Sequence, residues 1–562
     1  MAAYRSHFIS RRLLPLAALC MGVAAAMAQP AGDTSWRPKL AALSAADACA
    51  ALDGLQIPAS AIGLATTGAL ISSTELVRAN ARNNENGEFC KVMGNIHPVN
   101  YNAPDIEFEV NMPSDWNGKS LQLGGGGFNG TVVTGLGRYA KQPSSEPTPL
   151  ARGYVTLGSD SGHKARLPGF DGSFFLYEEA LRNYGHEQIK KTHDVAMHLV
   201  QARYGTASQY NYFIGGSQGG HEGFDAMQRY PDDYHGIVAG YPAHNVVMLH
   251  LSANRYARAL LANNGDSWIS PAKITHFVAA IYDTCDDLDR AEDGIISNAS
   301  ACLEATQDFR KTDSSNPIRC DNGADTSDRC LSDAQIEALN VFDEEYDLGF
   351  SVFADDALTS VFPKWTPFEG STFFDGGFPN LGAEQANQAL QYGPGDATPR
   401  YAIAQDLTLD TMNDFDPAQH AGRIGELVEL ISANSVNLDR FRANGGKLIY
   451  FHGRVDDFIP VYSSIQYWER LQNRYDDALG EFVKFYTIPG MGHVTGVFNA
   501  RLSSLDALEA WVERGEAPGT LTAIDENQDT AGRTRPVCHY PGWPRYNGRG
   551  DIDSADSFTC VE

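Results

Sequence analysis

Three short stretches of this chain carry the residue types that make and break an acyl bond. Ile214-Gly215-Gly216-Ser217-Gln218-Gly219-Gly220 follows the strand-like run Tyr210-Asn211-Tyr212-Phe213 and leads into a helical pattern. Small residues on both sides of the serine suit a strand-to-helix turn too sharp for side chains, and that turn leaves Oγ exposed at the sheet edge. A hydroxyl attacks poorly until a base takes its proton, so the motif requires a histidine and a carboxylate to orient it. Both follow. The apolar strand Lys447 to Phe451 enters His452-Gly453-Arg454-Val455-Asp456-Asp457-Phe458-Ile459-Pro460, and the next strand enters Pro489-Gly490-Met491-Gly492-His493. Ser217, Asp456 and His493 form the expected triad. Asp457 is the alternative acid, ranked second because Asp456 holds the last position of H-G-x-x-D.

Acyl transfer also requires donors for the oxyanion, and backbone N–H groups in glycine-rich turns approach it closely. The Gln218 N–H, just after the nucleophile, is one expected donor. The other is expected from Leu123-Gly124-Gly125-Gly126-Gly127-Phe128-Asn129-Gly130, with Gly124 as the candidate. A phosphate loop is the competing reading, but no Lys-Ser/Thr pair ends the run and no GxGxxG pattern fits.

These motifs need a sheet whose strand ends share one rim. Apolar runs bounded by turn residues predict strands at Ser120 to Leu123, Gly153 to Leu157, Tyr210 to Gly215, Gly236 to Ala239, Lys447 to Phe451 and Glu481 to Ile488. Helical patterns span Tyr184 to Tyr204, Gly219 to Tyr230, Ser464 to Tyr475 and Ser503 to Glu513. Strands alternating with helices predict an α/β class with a parallel sheet covered on both faces. The interval between Gly240 and Gly445 breaks the rhythm and reads as an inserted lid. The expected organisation is a signal segment over 1–28, a catalytic domain in two parts, 29–245 and 441–562, and a lid over 246–440.

The chain has 562 residues, 43 Lys+Arg against 70 Asp+Glu, and a formal charge of −27. Such an acidic chain is repelled by nucleic acid and by anionic membrane surfaces, which leaves a small molecule as the expected partner. Arg5, Arg11 and Arg12 precede the apolar stretch Leu13 to Ala26, and Ala26-Met27-Ala28 offers a cleavage site, so the protein is expected to be secreted or periplasmic. The apolar stretch is too short for a membrane span, and Leu19 before Cys20 argues against lipidation. Eight further cysteines in an exported chain point to disulfides. Among 105 connectivities, pairing of sequence neighbours is expected: Cys49–Cys90, Cys285–Cys302, Cys320–Cys330 and Cys538–Cys560.

Taken jointly, several motifs resemble the tannase and feruloyl esterase family. They are Pro113-Ser114-Asp115-Trp116-Asn117-Gly118, Gly158-Ser159-Asp160-Ser161-Gly162-His163, the serine motif, Tyr234 to Gly240, Pro489 to His493, Trp511 to Pro518 and Thr534 to Cys538. The resemblance implies an α/β-hydrolase fold with a large inserted lid, acting on esters of aromatic acids. It also implies a structural Ca2+ site in Cys285 to Ile295, with ligands from Asp286, Asp289, Asp293 and the carbonyls of Ala291 and Ile295; clustered oxygen donors suit such a hard cation. Family members usually carry a cysteine just before the nucleophile and another just after the histidine. Here these positions are Gly216 and Val494, and a looser histidine loop is expected. By family position His452 and Ile459 line the pocket. Trp365, Phe368, Phe373 and Phe374 either stack on a substrate ring or fill the lid core. Arg400, the only basic residue between Trp365 and Tyr401, either holds a substrate carboxylate or is surface charge. The resulting expectation is a serine esterase working through an acyl-enzyme, with an acyltransferase or a non-catalytic phenolic-binding protein as alternatives.

Overall fold

The computed structural model describes residues 40–165, 170–352, 360–371 and 392–562. The expected signal segment, and Phe373 and Phe374, lie outside the described residues. The protein is mixed α/β around one ten-stranded sheet. Its strands are β1 (Gln56–Ile57), β2 (Gly68–Val77), β3 (Phe89–His97), β4 (Ile106–Pro113), β5 (Lys119–Leu123), β6 (Val155–Ser159), β7 (Tyr210–Gly216), β8 (Gly236–Gly240), β9 (Lys447–Gly453) and β10 (Val483–Ile488). The order across the sheet is 1-2-3-4-6-5-7-8-9-10. From β6 to β10 all neighbours are parallel, whereas β1 to β4 pair antiparallel and β4 runs antiparallel to β6. All six strands expected from apolar runs are present. The antiparallel wing was not among the expectations.

Six helices matter here: α1 (Gln188–Tyr204), α2 (Gln218–Arg229), α3 (Val246–Leu261), α4 (Pro271–Cys285), α5 (Val461–Tyr475) and α6 (Ser504–Arg514). Successive residues of the central strands point to opposite faces. Phe213, Ile237, Leu448 and Phe485 enter one apolar cluster with residues of α1, α2 and α5. Tyr212, Val238, Ile449 and Tyr486 enter another with Leu505, Leu508 and Trp511 of α6. Both faces are therefore buried, as near-continuous apolar strands require.

The chain between β8 and β9 builds a further apolar cluster from α3, α4 and later segments, and that cluster takes in Phe128 and Ile459. These two residues belong to the glycine loop after β5 and the acid loop after β9, so this segment packs on the strand ends that carry the chemistry-bearing residues. The connection from β5 leads to β6 on one side while β7 lies on the other, which makes the end of β5 a switch point where open α/β sheets bind ligands. Among the described residues no helix is long and apolar enough to cross a membrane.

Candidate active site

Ser217 sits between β7 and α2 with φ 61° and ψ −122°. This backbone region is rarely adopted by a residue with a Cβ, and its occurrence here marks the sharp turn expected of a nucleophile. The turn is fixed by the Ser217 N–H donating to the Gly240 carbonyl at 3.0 Å, and by the His221 N–H donating to the Ser217 carbonyl at 3.0 Å. Glycine before the serine leaves room for Tyr241, whose hydroxyl would lie 2.6 Å from a Cβ on Gly216.

His493 follows β10 and stands between the other two members. Its Nδ1 is 2.9 Å from Asp456 Oδ2, and its Nε2 is 3.0 Å from Ser217 Oγ. With Nδ1–H donated to the carboxylate, the Nε2 lone pair faces the serine hydroxyl. Asp456 is fully buried. Its Oδ1 accepts the Phe458 and Ile459 N–H groups at 2.9 and 2.8 Å, which fixes the carboxylate plane and turns Oδ2 toward the imidazole. Burial alone would raise its pKa, but the charges and hydrogen bonds of His493 and His452 outweigh burial and hold the carboxyl well below the usual range. Asp456, not Asp457, faces the histidine.

The glycine loop departs from expectation in detail. The Gly124 N–H continues the β5–β7 ladder by donating to Ile214 at 2.9 Å, so it is not aimed at Ser217. Glycine is needed there for packing instead, since a Cβ would meet the Gly219 Cα at 2.5 Å. The Gly125 N–H donates to Glu222 Oε2 at 2.9 Å, and Asn129 Nδ2 donates to Glu222 Oε1 at 2.7 Å. Glu222, one turn into α2 and 1% exposed, thus ties the loop to the helix that carries Ser217. Beyond it, Gly126 and Gly127 wall a cavity of about 620 Å³ together with Ser217, Tyr241, His493 and Val494. Gln218 is the first residue of α2, and the first N–H groups of a helix lack intrahelical partners.

Several expected pocket residues lie elsewhere. His452 and Ile459 are buried, 0% and 1% exposed, and neither is among the residues that wall the cavity beside Ser217. His452 Nε2 donates to the Ile459 carbonyl at 2.9 Å and lies 3.3 Å from Asp456 Oδ2, while the Ser464 hydroxyl meets Nδ1 at 2.8 Å. It therefore buttresses the acid loop. Trp365 and Phe368 are buried, and Trp365 packs against Tyr256, Phe342 and Phe362, which makes it core. Arg400 is committed to Asp396 through contacts at 2.6 and 3.1 Å and donates to the Leu407 carbonyl. Aromatic rings do reach the site, from positions other than the expected pocket residues. Phe458 and Tyr241 each stand edge-on to the His493 ring, at 5.2 and 4.9 Å, and Phe170 packs on Phe458 at 5.7 Å.

All four expected disulfides are formed. In the loop expected to bind calcium, Asp289 accepts the Ala291 and Ser297 N–H groups, Asp286 accepts that of Gly294, and Asp293 accepts that of Ile295 while pairing with Arg535. Burial, with the like charge of Asp293 adding, raises the Asp286 carboxyl and pushes Asp289 up to about 6. Such crowding of oxygen donors is what a hard cation relieves. Among the described residues, the group whose ligand atoms converge most closely is a different one, His193, Asp194 and Asp233. Lys190 already sits between its two carboxylates at 2.6 and 3.1 Å and offsets one of their two charges.

Residues 90–561 match the family model described as tannase and feruloyl esterase. An uncharacterized esterase of Agrobacterium fabrum is 35% identical over 531 residues, covering 92% of this chain and 94% of that protein. The mono(2-hydroxyethyl) terephthalate hydrolase of Piscinibacter sakaiensis is 30% identical over 527 residues, covering 84% and 85%. The crystal structure of feruloyl esterase B from Aspergillus oryzae superposes with a TM-score of 0.72 at 23% identity, over 89% of this chain and 98% of that one. With a serine, a histidine and a carboxylate joined at one sheet edge and this likeness running through nearly the whole chain, the protein belongs to the tannase and feruloyl esterase family and is a carboxylic ester hydrolase.

Proposed function

We propose that the protein is an exported serine esterase that cleaves esters of aromatic acids through an acyl-enzyme. The observation that carries this reading is the unbroken line from Ser217 Oγ through His493 to Asp456, at 3.0 and 2.9 Å, with the serine held at φ 61°. Ser217 Oγ attacks the ester carbonyl as His493 Nε2 takes its proton. The imidazolium is stabilised by Asp456 and returns the proton to the departing alcohol. Water then repeats the sequence on the acyl-serine, releasing the acid. The Gln218 N–H and an N–H of the Gly126–Gly127 turn receive the oxyanion, in place of Gly124. The edge-on rings of Phe458 and Tyr241 and the neighbouring Phe170 favour a flat acyl group beside the histidine.

The wider reading is an α/β-hydrolase domain formed by 29–245 and 441–562, with 246–440 as a lid over the strand ends and residues 1–28 as an export signal. The eight cysteines among the described residues are all paired, which supports an oxidising destination. Asp286, Asp289, Asp293 and the carbonyls of Ala291 and Ile295 would hold a structural calcium, supported by their all-oxygen donor set. The test is initial rates of the mature protein and of Ser217→Ala on methyl ferulate, methyl gallate and mono(2-hydroxyethyl) terephthalate. Loss of turnover in the variant is expected, with the preferred ester identifying the acyl group. Hydrolysis that survives the substitution would overturn the proposal, and acyl transfer to an added alcohol without hydrolysis would favour an acyltransferase.

A further inference from the structure

His493 has to hold its Nε2 against Ser217 while sitting in a turn rich in glycine, Gly490-Met491-Gly492-His493-Val494. The next residue, Val494, is 62% exposed. What reaches the turn is Lys141, from the loop between β5 and β6. Its ammonium donates to the Val494 main-chain carbonyl at 2.7 Å, although the residue is only 3% exposed. The Lys141 carbonyl accepts the Leu502 N–H at 3.0 Å, so the same residue is tied at its backbone to the chain that leaves the histidine turn.

Tyr241 completes the bracket. It directly follows β8, its N–H donates to Phe451 in β9 at 2.6 Å, and its ring meets His493 edge-on at 4.9 Å. Its hydroxyl fills the space beside Gly216, the residue before the nucleophile. Lys141 Nζ stands 5.9 Å from the centre of the same ring, within reach of a cation–π attraction. Both residues hold backbone angles that side chains rarely adopt, φ 64° at Lys141 and φ 33° at Tyr241. Strained non-glycine residues persist where their surroundings over-determine them, and they cluster at functional sites.

We infer that Lys141 and Tyr241 are positioning residues for the general base: Lys141 fastens the histidine turn through the Val494 carbonyl, and Tyr241 sets the imidazole against Ser217. This rests on the reading of Ser217 and His493 as nucleophile and base. Lys141 acts on His493 through the Val494 carbonyl, so its loss lowers kcat far more than it changes KM; Tyr241 also walls the cavity, so its loss is read through kcat and not through KM. Misplacement of a catalytic group by a fraction of an ångström to 1 Å costs about tenfold to a hundredfold in rate.

The experiment compares wild type, Lys141→Met, Lys141→Arg, Tyr241→Leu and the Lys141→Met/Tyr241→Leu double variant. The readouts are kcat and KM on methyl ferulate and the rate constant for inactivation by a fluorophosphonate, which needs an activated serine but no ester substrate. Lys141→Met is expected to lower kcat and the inactivation rate together, by about tenfold or more, with KM within about twofold and Lys141→Arg recovering most of the loss. The double variant should lose less than the product of the two single losses, because both act through one imidazole. Should Lys141→Met not fold, Tyr241→Leu carries the test through kcat and the inactivation rate. Rates within twofold of wild type, a change confined to KM, or independent losses that multiply would overturn the inference. Wild-type protein that resists the fluorophosphonate would instead refute the underlying assignment of Ser217 and His493.

Discussion

Asp456→Asn conserves the shape of the acid and removes only its charge, and the surroundings dictate how the amide must sit. The position of Oδ1 is faced by two N–H donors, Phe458 at 2.9 Å and Ile459 at 2.8 Å, so the amide oxygen has to occupy it. The amide nitrogen then takes the place of Oδ2, 2.9 Å from His493 Nδ1. Two N–H groups cannot share that contact, and the imidazole escapes by carrying its proton on Nε2. That proton points at Ser217 Oγ, 3.0 Å away, and the serine loses its base. A wrong tautomer in such a site costs about 10⁴-fold in kcat, which is about 5 kcal/mol at about 1.36 kcal/mol per tenfold. Asp456→Ala is a different perturbation, since it strands both N–H donors in a buried site at about 1–3 kcal/mol each and should lower Tm as well as kcat. The assay is kcat/KM on methyl ferulate at neutral pH, with thermal unfolding of each variant. Asp456→Asn should unfold near wild type while retaining about 10⁻⁴ of its activity. Activity within about tenfold of wild type would refute the assignment of tautomer control to Asp456.

Glu222 is buried with its pKa raised from 4.5 to about 6, burial dominating over the Gly125 and Asn129 hydrogen bonds. A carboxyl raised in the fold favours its protonated form there, so its contribution is complete below about 4.5 and is lost as pH rises through about 6, a change of about 2 kcal/mol. Denaturant unfolding of wild type against Glu222→Gln from pH 4 to 8 should show that difference, with wild type weakening relative to the variant on the alkaline side. Arg400→Ala should leave kcat/KM on mono(2-hydroxyethyl) terephthalate within about twofold, because its guanidinium is spent on Asp396 at 2.6 Å; loss of the partly exposed pair lowers stability by no more than about 1 kcal/mol. If Asp286, Asp289 and Asp293 hold calcium, saturating calcium after chelator treatment should raise Tm by the equivalent of about 2.7 kcal/mol at a hundredfold excess over Kd, and Asp289→Asn should abolish the response. Removing the Cys49–Cys90 bridge, whose separation is 41 residues, should cost about 4 kcal/mol by loop entropy, read in urea as a lower midpoint.

Much of this arrangement is legible in the sequence because its causes are local. The turn at Ser217 needs small neighbours, so glycines surround the nucleophile, and buried parallel strands must be apolar along their length, so β5 to β10 stand out. Asp456 and His493 are readable because each directly follows such a strand. The errors fall where long-range packing decides. Nothing local distinguishes Gly124, whose N–H extends a ladder to Ile214, from Gly126, which lines the cavity. Trp365 could have been a stacking platform, and only the fold places Tyr256 and Phe342 against it. Arg400 is a partial exception, since Asp396 stands four residues earlier and that spacing already offers a helical ion pair.

The deeper limit concerns the histidine turn. Read from its own residues it looks loose, with three glycines close to His493 on the chain, Gly490, Gly492 and Gly496, and an exposed valine after it. Beside its own backbone hydrogen bonds, part of its restraint comes from 353 residues away, through Lys141, and from a tyrosine at the end of β8. Neither residue belongs to a motif, because neither position needs a special chemical group on the substrate. Lys141 needs a charge that can reach a carbonyl, and Tyr241 needs a ring that can press on an imidazole. The proposed nucleophile, acid and base are therefore the part of the site that sequence states openly. The groups that keep them within hydrogen-bond distance are the part that only the folded chain reveals.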